Sequence, residues 1–89
     1  EVLKAHPDVF DAVVCGTPHE RWGARVEALL TVRNDAPDLA SIEAHVRGKL
    51  AGYKVPRRFW VVDDLNRQPS GKPDYRWARE KAAELGAGE

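Results

Sequence analysis

The chain has 89 residues, a formal net charge of zero and 43% hydrophobic residues. That length suits a single domain, and the hydrophobic fraction is that of an ordinary globular chain, so a disordered segment is excluded. No apolar run is long enough to span a bilayer, and nothing resembles a signal peptide. The single cysteine, Cys15, rules out an internal disulfide and is compatible with a reducing cytoplasm, where we expect the protein to reside.

The first residues, EVLK, are typical of the interior of a helix, and the chain contains no methionine. We therefore expect it to be part of a larger protein. Pro7 predicts that this opening helix ends near His6, because proline disfavours helical geometry in the residue before it.

Two strands are predicted next. Residues 11–16 (DAVVCG) are apolar on both faces, as expected of an inner strand, and Cys15 is predicted to be a small buried residue rather than a reactive thiol. Residues 17–20 (TPHE) predict a turn. The following strand is predicted to be half-buried, because apolar residues alternate with polar ones. Its apolar positions are Val26, Ala28, Leu30 and Val32.

A helix and a short strand follow. Asp38 can cap the helix, and an apolar stripe with a spacing of three and four residues supports it. The stripe consists of Leu39, Ile42, Val46 and Leu50. Gly52 is predicted to end the helix, and residues 59–62 (FWVV) predict a short strand.

The last part of the chain begins with a loop. Residues 68–73 (QPSGKP) contain two prolines and a glycine, which excludes regular structure. Asp74 then caps a final helix that we expect to run to about Leu85, with frayed residues after it. The order α-β-β-α-β-α predicts an α+β domain in which helices pack on a small three-stranded sheet.

The charges are unevenly distributed although they sum to zero. Residues 1–43 carry four Lys/Arg and eight Asp/Glu, whereas residues 44–62 carry five basic residues and no acid. The five are Arg47, Lys49, Lys54, Arg57 and Arg58. Such a segment indicates either a local anionic ligand or a solvated face, and charge alone favours the solvated face.

Three motifs resemble the C-terminal domain of the adenylate-forming superfamily, which includes acyl-CoA synthetases, luciferases and peptide-synthetase adenylation domains. The first comprises residues 6–9 (HPDV), 12–14 (AVV) and 19–23 (HERWG). The second is residues 50–57 (LAGYKVPR), and the third is residues 69–72 (PSGK). Each motif alone is weak evidence, but their order and spacing match the family across nearly the whole chain.

The resemblance implies a two-step ligase. A carboxylate attacks the α-phosphate of ATP to give an acyl adenylate and pyrophosphate; the C-terminal domain then turns about a hinge, and a thiol, usually coenzyme A, displaces AMP. Residues 1–89 would be this mobile domain. A large N-terminal domain outside the chain would hold most of the ATP, the Mg²⁺ and the acid, so the 89-residue chain alone is expected to be inactive.

Lys72 is the catalytic residue that the resemblance implies. In the family, the lysine of this loop contacts the carboxylate and the α-phosphate during adenylation. Two anions repel one another, and a compact ammonium can bridge them and stabilise the charge that develops in the transition state. Ser70 and Gly71 of the same loop are expected to contribute to substrate or cofactor binding, and Gly71 permits backbone geometry that helps to place the lysine at the loop tip.

The resemblance also implies a coenzyme A site at Tyr53, Lys54 and Arg57. A tyrosine ring can stack on adenine, and the planar guanidinium of Arg57 can pair with phosphate oxygens. Where this chain has Val55, the family often has a second basic residue. Trp22 matches the family tryptophan, and for it a position near adenine and a position in the core are equally open.

Other polar and aromatic residues are weaker candidates. The three histidines are too scattered to predict a metal site. Asp63 and Asp64 are adjacent on an extended segment, so their side chains point to opposite faces and are not expected to form an acid–base pair. Trp60 and Trp77 are predicted to pack in the core.

Three functions stay open from the sequence. The favoured one is the activation of a fatty or related acid with ATP and its transfer to coenzyme A. The second is an adenylation domain that serves the phosphopantetheine arm of a carrier protein. The third is a non-enzymatic binding module; nucleic acid as its partner is disfavoured by the balanced charge and by the lack of a mixed aromatic and basic stripe.

Overall fold

The computed structural model describes residues 2–19 and 23–87, without the side chains of His19 and Tyr53. Three strands and two α-helices follow one another in the order β-β-α-β-α, and two short 3-10 helices lie at Leu3–Ala5 and Gly52–Lys54. The regular elements are β1 (Val9–His19), β2 (Gly23–Val32), α1 (Leu39–Arg47), β3 (Arg58–Val61) and α2 (Tyr75–Ala87). The predicted α+β class, with helices packed on a three-stranded sheet, is confirmed.

The sheet has the strand order β1-β2-β3. β1 and β2 form a long antiparallel hairpin whose paired positions run from Val9↔Val32 to His19↔Gly23, with a register irregularity between Val9 and Asp11. β3 pairs parallel to β2, from Glu27↔Arg58 to Leu30↔Val61. A parallel partner requires a crossover connection, and α1 supplies it.

The two helices cover opposite faces of the sheet. Ile42 and Val46 of α1 pack with Ala28 and Leu30 of β2 in one core. A second core contains Ala78 and Ala82 of α2, Leu29 of β2, and Val13, Cys15 and Leu65. Because alternate strand residues face opposite sides, β2 contributes to both cores and is the strand buried on both faces.

This burial corrects one expectation. The alternation in β2 predicts a half-buried strand with Glu27 on the open side, yet Glu27 is only 1% exposed because α2 covers that side. Its carboxylate accepts hydrogen bonds from the indole N–H of Trp60, at 2.7 Å, and from the hydroxyl of Thr17. The guanidinium of Arg25 lies 3.7 Å away. The buried charge is thus compensated by polar partners on both neighbouring strands and on β2 itself.

Several predicted boundaries also differ. The opening helix is reduced to the 3-10 turn Leu3–Ala5, which ends before Pro7. β1 is an edge strand rather than an inner one, and it continues through residues 17–19, which were predicted as a turn. Pairing with β2 as far as Gly23 extends it. Glu20, the last residue of the predicted turn, lies outside the described residues.

The helix α1 ends earlier than predicted, at Arg47. Its N-terminus is capped as predicted, because the carboxylate of Asp38 accepts the N–H of Ser41 at 3.1 Å. Gly48 forms the C-cap, and Gly52 opens the second 3-10 helix instead of ending α1. β3 begins and ends one residue earlier than predicted, and α2 extends to Ala87.

In the described part of the chain, neither helix combines the length and apolar character that crossing a bilayer would require.

Candidate functional site

Lys72 lies on the loop between β3 and α2. Leu65 anchors the first half of this loop, since its side chain is buried in the core beneath α2. The next residue, Asn66, has a positive φ of 53°, and its N–H donates to the carboxylate of Asp64 at 2.8 Å. This local bond satisfies the backbone at a sharp bend that redirects the chain out of the core.

A turn then presents the lysine. The N–H of Gly71 donates to the carbonyl of Gln68 at 2.8 Å, and the N–H of Gln68 donates to the carbonyl of Lys72 at 3.0 Å. Gly71 has a φ of 87°, in the region that favours glycine. Ser70, Gly71 and Lys72 are all exposed. Lys72 is therefore exposed on the loop, but its carbonyl closes the base of the turn opposite Gln68, and Pro69 and Ser70 form the tip.

A bidentate ion pair ties this turn to β1. The Nε of Arg67 donates to Oδ2 of Asp11 at 2.7 Å, and its Nη2 donates to Oδ1 at 2.8 Å. The Nη1 of the same guanidinium donates to the carbonyl of Gly71 at 3.1 Å. The guanidinium lowers the pKa of Asp11 to about 2, and Lys4, 3.6 Å from Oδ1, acts in the same direction.

The second predicted site lies between α1 and β3. Buried Val55 and Pro56 fix this segment, and the N–H of Arg57 donates to the carbonyl of Val26 at 2.7 Å. The side chains of Lys54 and Arg57 are exposed. Tyr53 occupies the 3-10 helix, but its side chain is outside the described part of the structure.

A cleft of about 270 Å³ adjoins the second site. Its lining comprises Arg47, Gly52, Val55, Pro56 and Arg57. The guanidinium of Arg47 is paired with Glu43 at 2.7 Å, one turn earlier on α1. The lining thus combines Val55 and Pro56 with two arginines, of which Arg47 already pairs with a carboxylate, and such a composition can accept an anionic ligand with an apolar part.

The two predicted sites lie at opposite ends of β2. Arg57 is bonded beside Val26, near the start of the strand, whereas Asp11 pairs with Thr31, near its end. At ~3.3 Å per residue these two positions are separated by roughly 16 Å along β2. They are also on different sides of the strand, because Arg57 precedes β3 and Asp11 belongs to β1. The fold therefore does not bring Lys72 and Arg57 into one site.

Apart from Trp22, the remaining sequence candidates either pack in the core or are exposed at the surface. Trp60 and Trp77 pack against the core beneath α2, as predicted, and Cys15 is buried, which raises the pKa of its thiol. Asp63 and Asp64 are exposed. Trp22 lies outside the described residues, so its two interpretations stay open.

The described histidine side chains bind the N-terminal segment to α1. The Nδ1 of His6 accepts the N–H of Asp8 at 3.1 Å, and its Nε2 lies 2.9 Å from the hydroxyl of Ser41. His45 donates to the carbonyl of Val2 at 3.0 Å. Within residues 2–19 and 23–87, no three His, Cys, Asp or Glu side chains are grouped to hold a metal ion.

Sequence reasoning did not single out Asp11, Arg67 or Glu27. Asp11 and Arg67 are 56 positions apart, and neither belongs to a short motif that predicts their pairing. The predicted environment of Glu27 was wrong because the alternating pattern of β2 predicts one solvent-exposed face, whereas α2 covers that face in the structure. The one available signal was the position of Arg67 shortly before the PSGK segment.

Comparison with known proteins shows the family of the chain. A family model described as the AMP-binding enzyme C-terminal domain matches residues 1–72. The medium/long-chain-fatty-acid–CoA/3-oxocholest-4-en-26-oate–CoA ligase of Mycolicibacterium smegmatis is 53% identical over 88 residues, which are 98% of this chain and 16% of the ligase. A more distant relative, the fatty acid–[acyl-carrier-protein] ligase ScoC of Streptomyces coeruleorubidus, is 37% identical over 90% of this chain and 16% of its own length.

A solved structure shows the same fold. The amide bond synthetase McbA from Marinactinospora thermotolerans matches with a TM-score of 0.81 and 40% identity, over 90% of this chain and 16% of that protein. The chain thus spans about one sixth of the length of the proteins that it matches. It belongs to the AMP-binding enzyme C-terminal domain family, the domain carried by AMP-forming ligases that include acyl-CoA ligases.

Proposed function

We propose that residues 1–89 form the mobile C-terminal domain of a longer ligase that activates a fatty or related carboxylic acid with ATP and transfers the acyl group to coenzyme A. The observation that carries this proposal is the exposed Lys72 on an anchored turn, at the opposite end of the sheet from Arg57. We call this proposed longer protein the full-length enzyme. Its cytoplasmic location is part of the proposal, in keeping with the unpaired Cys15.

Lys72 serves the first step. Its side chain is exposed beside a closed turn, and its ammonium carries three donors that can bridge the attacking carboxylate and the α-phosphate. Neutralising the charge that develops between these two anions lowers the barrier to acyl adenylate formation. Ser70 and Gly71 form the turn that presents it, and Gly71 supplies the backbone geometry.

The Arg57 end of the sheet serves the second step. Arg57 and Lys54 would pair with phosphate groups of coenzyme A, while Tyr53 and Trp22 would offer aromatic surfaces to its adenine. One small domain cannot present both ends of its sheet to the same pocket at once. The roughly 16 Å between the two anchoring positions on β2 therefore supports a mechanism in which the domain turns between the steps.

Two features of the enzyme fall outside this domain. Mg²⁺ would be held by the N-terminal domain, because the described residues here contain no cluster of carboxylates that fits it, and no step is assigned to it. The acid would also bind there. The fatty and steroid acids in the name of the Mycolicibacterium smegmatis relative, at 53% identity, support a long apolar acid as the substrate class.

A carrier protein is the second candidate acceptor. The relative from Streptomyces coeruleorubidus is named as an acyl-carrier-protein ligase, so the domain family serves acceptors besides coenzyme A. Coenzyme A is favoured by the cleft that Arg57 helps to line, because a guanidinium can pair with the phosphates of a free nucleotide. Supplying coenzyme A and a phosphopantetheinylated carrier in parallel assays decides between them.

Lys72→Ala in the full-length enzyme tests the proposal. The rate of adenylation, measured as the exchange of pyrophosphate into ATP, should fall by at least about a hundredfold. Thioester formation from supplied acyl adenylate should be retained. Lys81→Ala, which removes a lysine from a surface pair with Glu84, is the matched control and should leave both steps unchanged. Pyrophosphate exchange near the wild-type rate in Lys72→Ala would refute the catalytic role.

The 89-residue chain supplies a second test. Incubated with ATP, Mg²⁺ and a panel of carboxylic acids, it should release no AMP, since the acid and nucleotide pockets are assigned to the N-terminal domain. Turnover by the purified chain would overturn the assignment of residues 1–89 as one domain of a longer enzyme.

A further inference from the structure

Both peptide units that flank Lys72 are held by hydrogen bonds. The carbonyl oxygen of Gly71 belongs to the peptide unit that joins Gly71 to Lys72, and it accepts a bond from Nη1 of Arg67 at 3.1 Å. The carbonyl of Lys72 belongs to the next unit, and it accepts the N–H of Gln68 at 3.0 Å. Because peptide units are planar, fixing both restricts the backbone of Lys72 and hence the direction in which its side chain leaves the turn.

Arg67 is itself held by the sheet. Its Nε and Nη2 engage both oxygens of Asp11, at 2.7 and 2.8 Å, and Nη2 also lies 3.4 Å from the carbonyl of Ala12. Such a fork-to-fork pair fixes the plane of the guanidinium as well as its position. The side chains of Arg67 and Asp11 are only 28% and 19% exposed, so water competes less than at a fully exposed pair.

Two arginine pairs on the helices lack this geometry. Arg47 with Glu43 and Arg76 with Glu80 are pairs within one helix, four positions apart, and more exposed. They connect a helix to itself. The Arg67–Asp11 pair instead joins the Lys72 loop to β1, across 56 positions of sequence, and the same guanidinium extends a further donor to the lysine's own peptide unit.

We infer that Arg67, held by Asp11, is a positioning residue for Lys72 in the adenylation step. The inference rests on the proposed catalytic role of Lys72. An ammonium must approach both anions within hydrogen-bond distance, and a displacement of about 1 Å at a reacting group can cost on the order of a hundredfold in rate. A turn without its Arg67 contact samples more orientations, so the ammonium of Lys72 is less often within hydrogen-bond distance of both anions.

Arg67→Ala in the full-length enzyme tests this role. The kcat of pyrophosphate exchange should fall about tenfold or more, while the KM values for ATP and for the acid change less than about threefold. Thioester formation from supplied acyl adenylate should stay within about twofold of wild type. Arg76→Ala is the matched control, since it removes the arginine of an exposed pair on α2, and it should leave both steps unchanged.

Two further variants separate positioning from a general loss of structure. Arg67→Lys keeps one charged contact to Asp11 but cannot also reach the Gly71 carbonyl through a fork, so an intermediate adenylation rate is expected. Adding Arg67→Ala to Lys72→Ala should cause no further loss, because Arg67 acts only through Lys72. A purely structural role would reduce both half-reactions together and would multiply the defect of Lys72→Ala.

The outcomes are distinguishable. Wild-type adenylation in Lys72→Ala would refute the proposed function, and the positioning role with it. A strong defect in Lys72→Ala together with adenylation within twofold of wild type in Arg67→Ala would refute the positioning role alone. If Arg67→Ala fails to fold, wild-type adenylation in the folded Arg67→Lys variant would overturn the inference.

Discussion

The buried hydrogen bond between Trp60 and Glu27 offers a quantitative test of how the sheet is stabilised. The indole N–H of Trp60 donates to a carboxylate that is 1% exposed, at 2.7 Å. Trp60→Phe keeps an aromatic ring against the core but removes this donor. A hydrogen bond to a charged group contributes about 1.5–3 kcal/mol, and leaving the carboxylate short of a partner incurs a desolvation penalty of similar size.

Trp77→Phe is the matched control. Trp77 packs against the same core and is likewise partly buried, but in the described residues its indole N–H has no recorded acceptor. Both substitutions lose comparable apolar area, so the difference between them reports the hydrogen bond together with the contact of Trp60 with the guanidinium of Arg58, which lies 5.8 Å from the ring centroid. Trp60→Phe should therefore lower the free energy of unfolding by about 1.5–3 kcal/mol more than Trp77→Phe, a difference in Tm of at least roughly 6 °C for a domain of this size.

Urea unfolding of the 89-residue chain, followed by circular dichroism, measures both variants. The double variant with Glu27→Gln completes a cycle: once the carboxylate is replaced by an amide, the additional loss from Trp60→Phe should shrink by more than about 1 kcal/mol. Equal losses in Trp60→Phe and Trp77→Phe would show that the buried carboxylate obtains its stabilisation from Thr17 and Arg25 alone.

Three other predictions follow from the candidate sites and their supports. Arg57→Ala in the full-length enzyme should raise the KM for coenzyme A about tenfold to a hundredfold with little change in adenylation, because a charge-assisted phosphate contact is lost; equal KM values would exclude Arg57 from the site. Gly71→Ala should destabilise the chain by about 1–2 kcal/mol, since its φ of 87° disfavours a Cβ although no atom lies within 4 Å, whereas Gly48→Ala, at a φ of −75°, should change stability by less than about 1 kcal/mol. Because the pKa of Asp11 is lowered from 3.8 to about 2, its contribution to stability is present above about pH 4 and is lost as the pH falls towards 2; unfolding measured between pH 5 and 2 should show a shallower acid decline in Arg67→Ala, and identical pH dependence would contradict the pairing.

The elements with a clear local pattern were predicted correctly. The stripe through Ile42 and Val46 gave α1, and both residues are fully buried. The two prolines and the glycine of residues 68–73 gave an irregular loop, and Lys72 is exposed on it. These predictions succeed because side-chain periodicity and backbone restriction act within a few residues.

The features that were not predicted depend on contacts between residues that are far apart in the sequence. β1 is apolar on both faces because two different cores cover it, and that pattern does not reveal whether a third strand lies beyond it. The end of α1 was placed four residues too late, because Gly48 and Gly52 are both acceptable helix ends and Gly48 is the observed C-cap. The contact from Arg67 to Asp11 requires the finished sheet, so no window of the sequence contains it.

The buried position of Cys15 gives the isolated domain a built-in chemical reporter. The thiol lies beneath Ala78 and Ala82 of α2, and burial raises its pKa, so alkylating reagents should react only when α2 lifts from the sheet. It is the only cysteine among the 89 residues, so a mass shift of the whole chain records that event without a further label. Since α2 directly follows the Lys72 loop, the alkylation rate measured under native conditions would report how often the segment after the loop detaches while the β1–β2 hairpin stays paired.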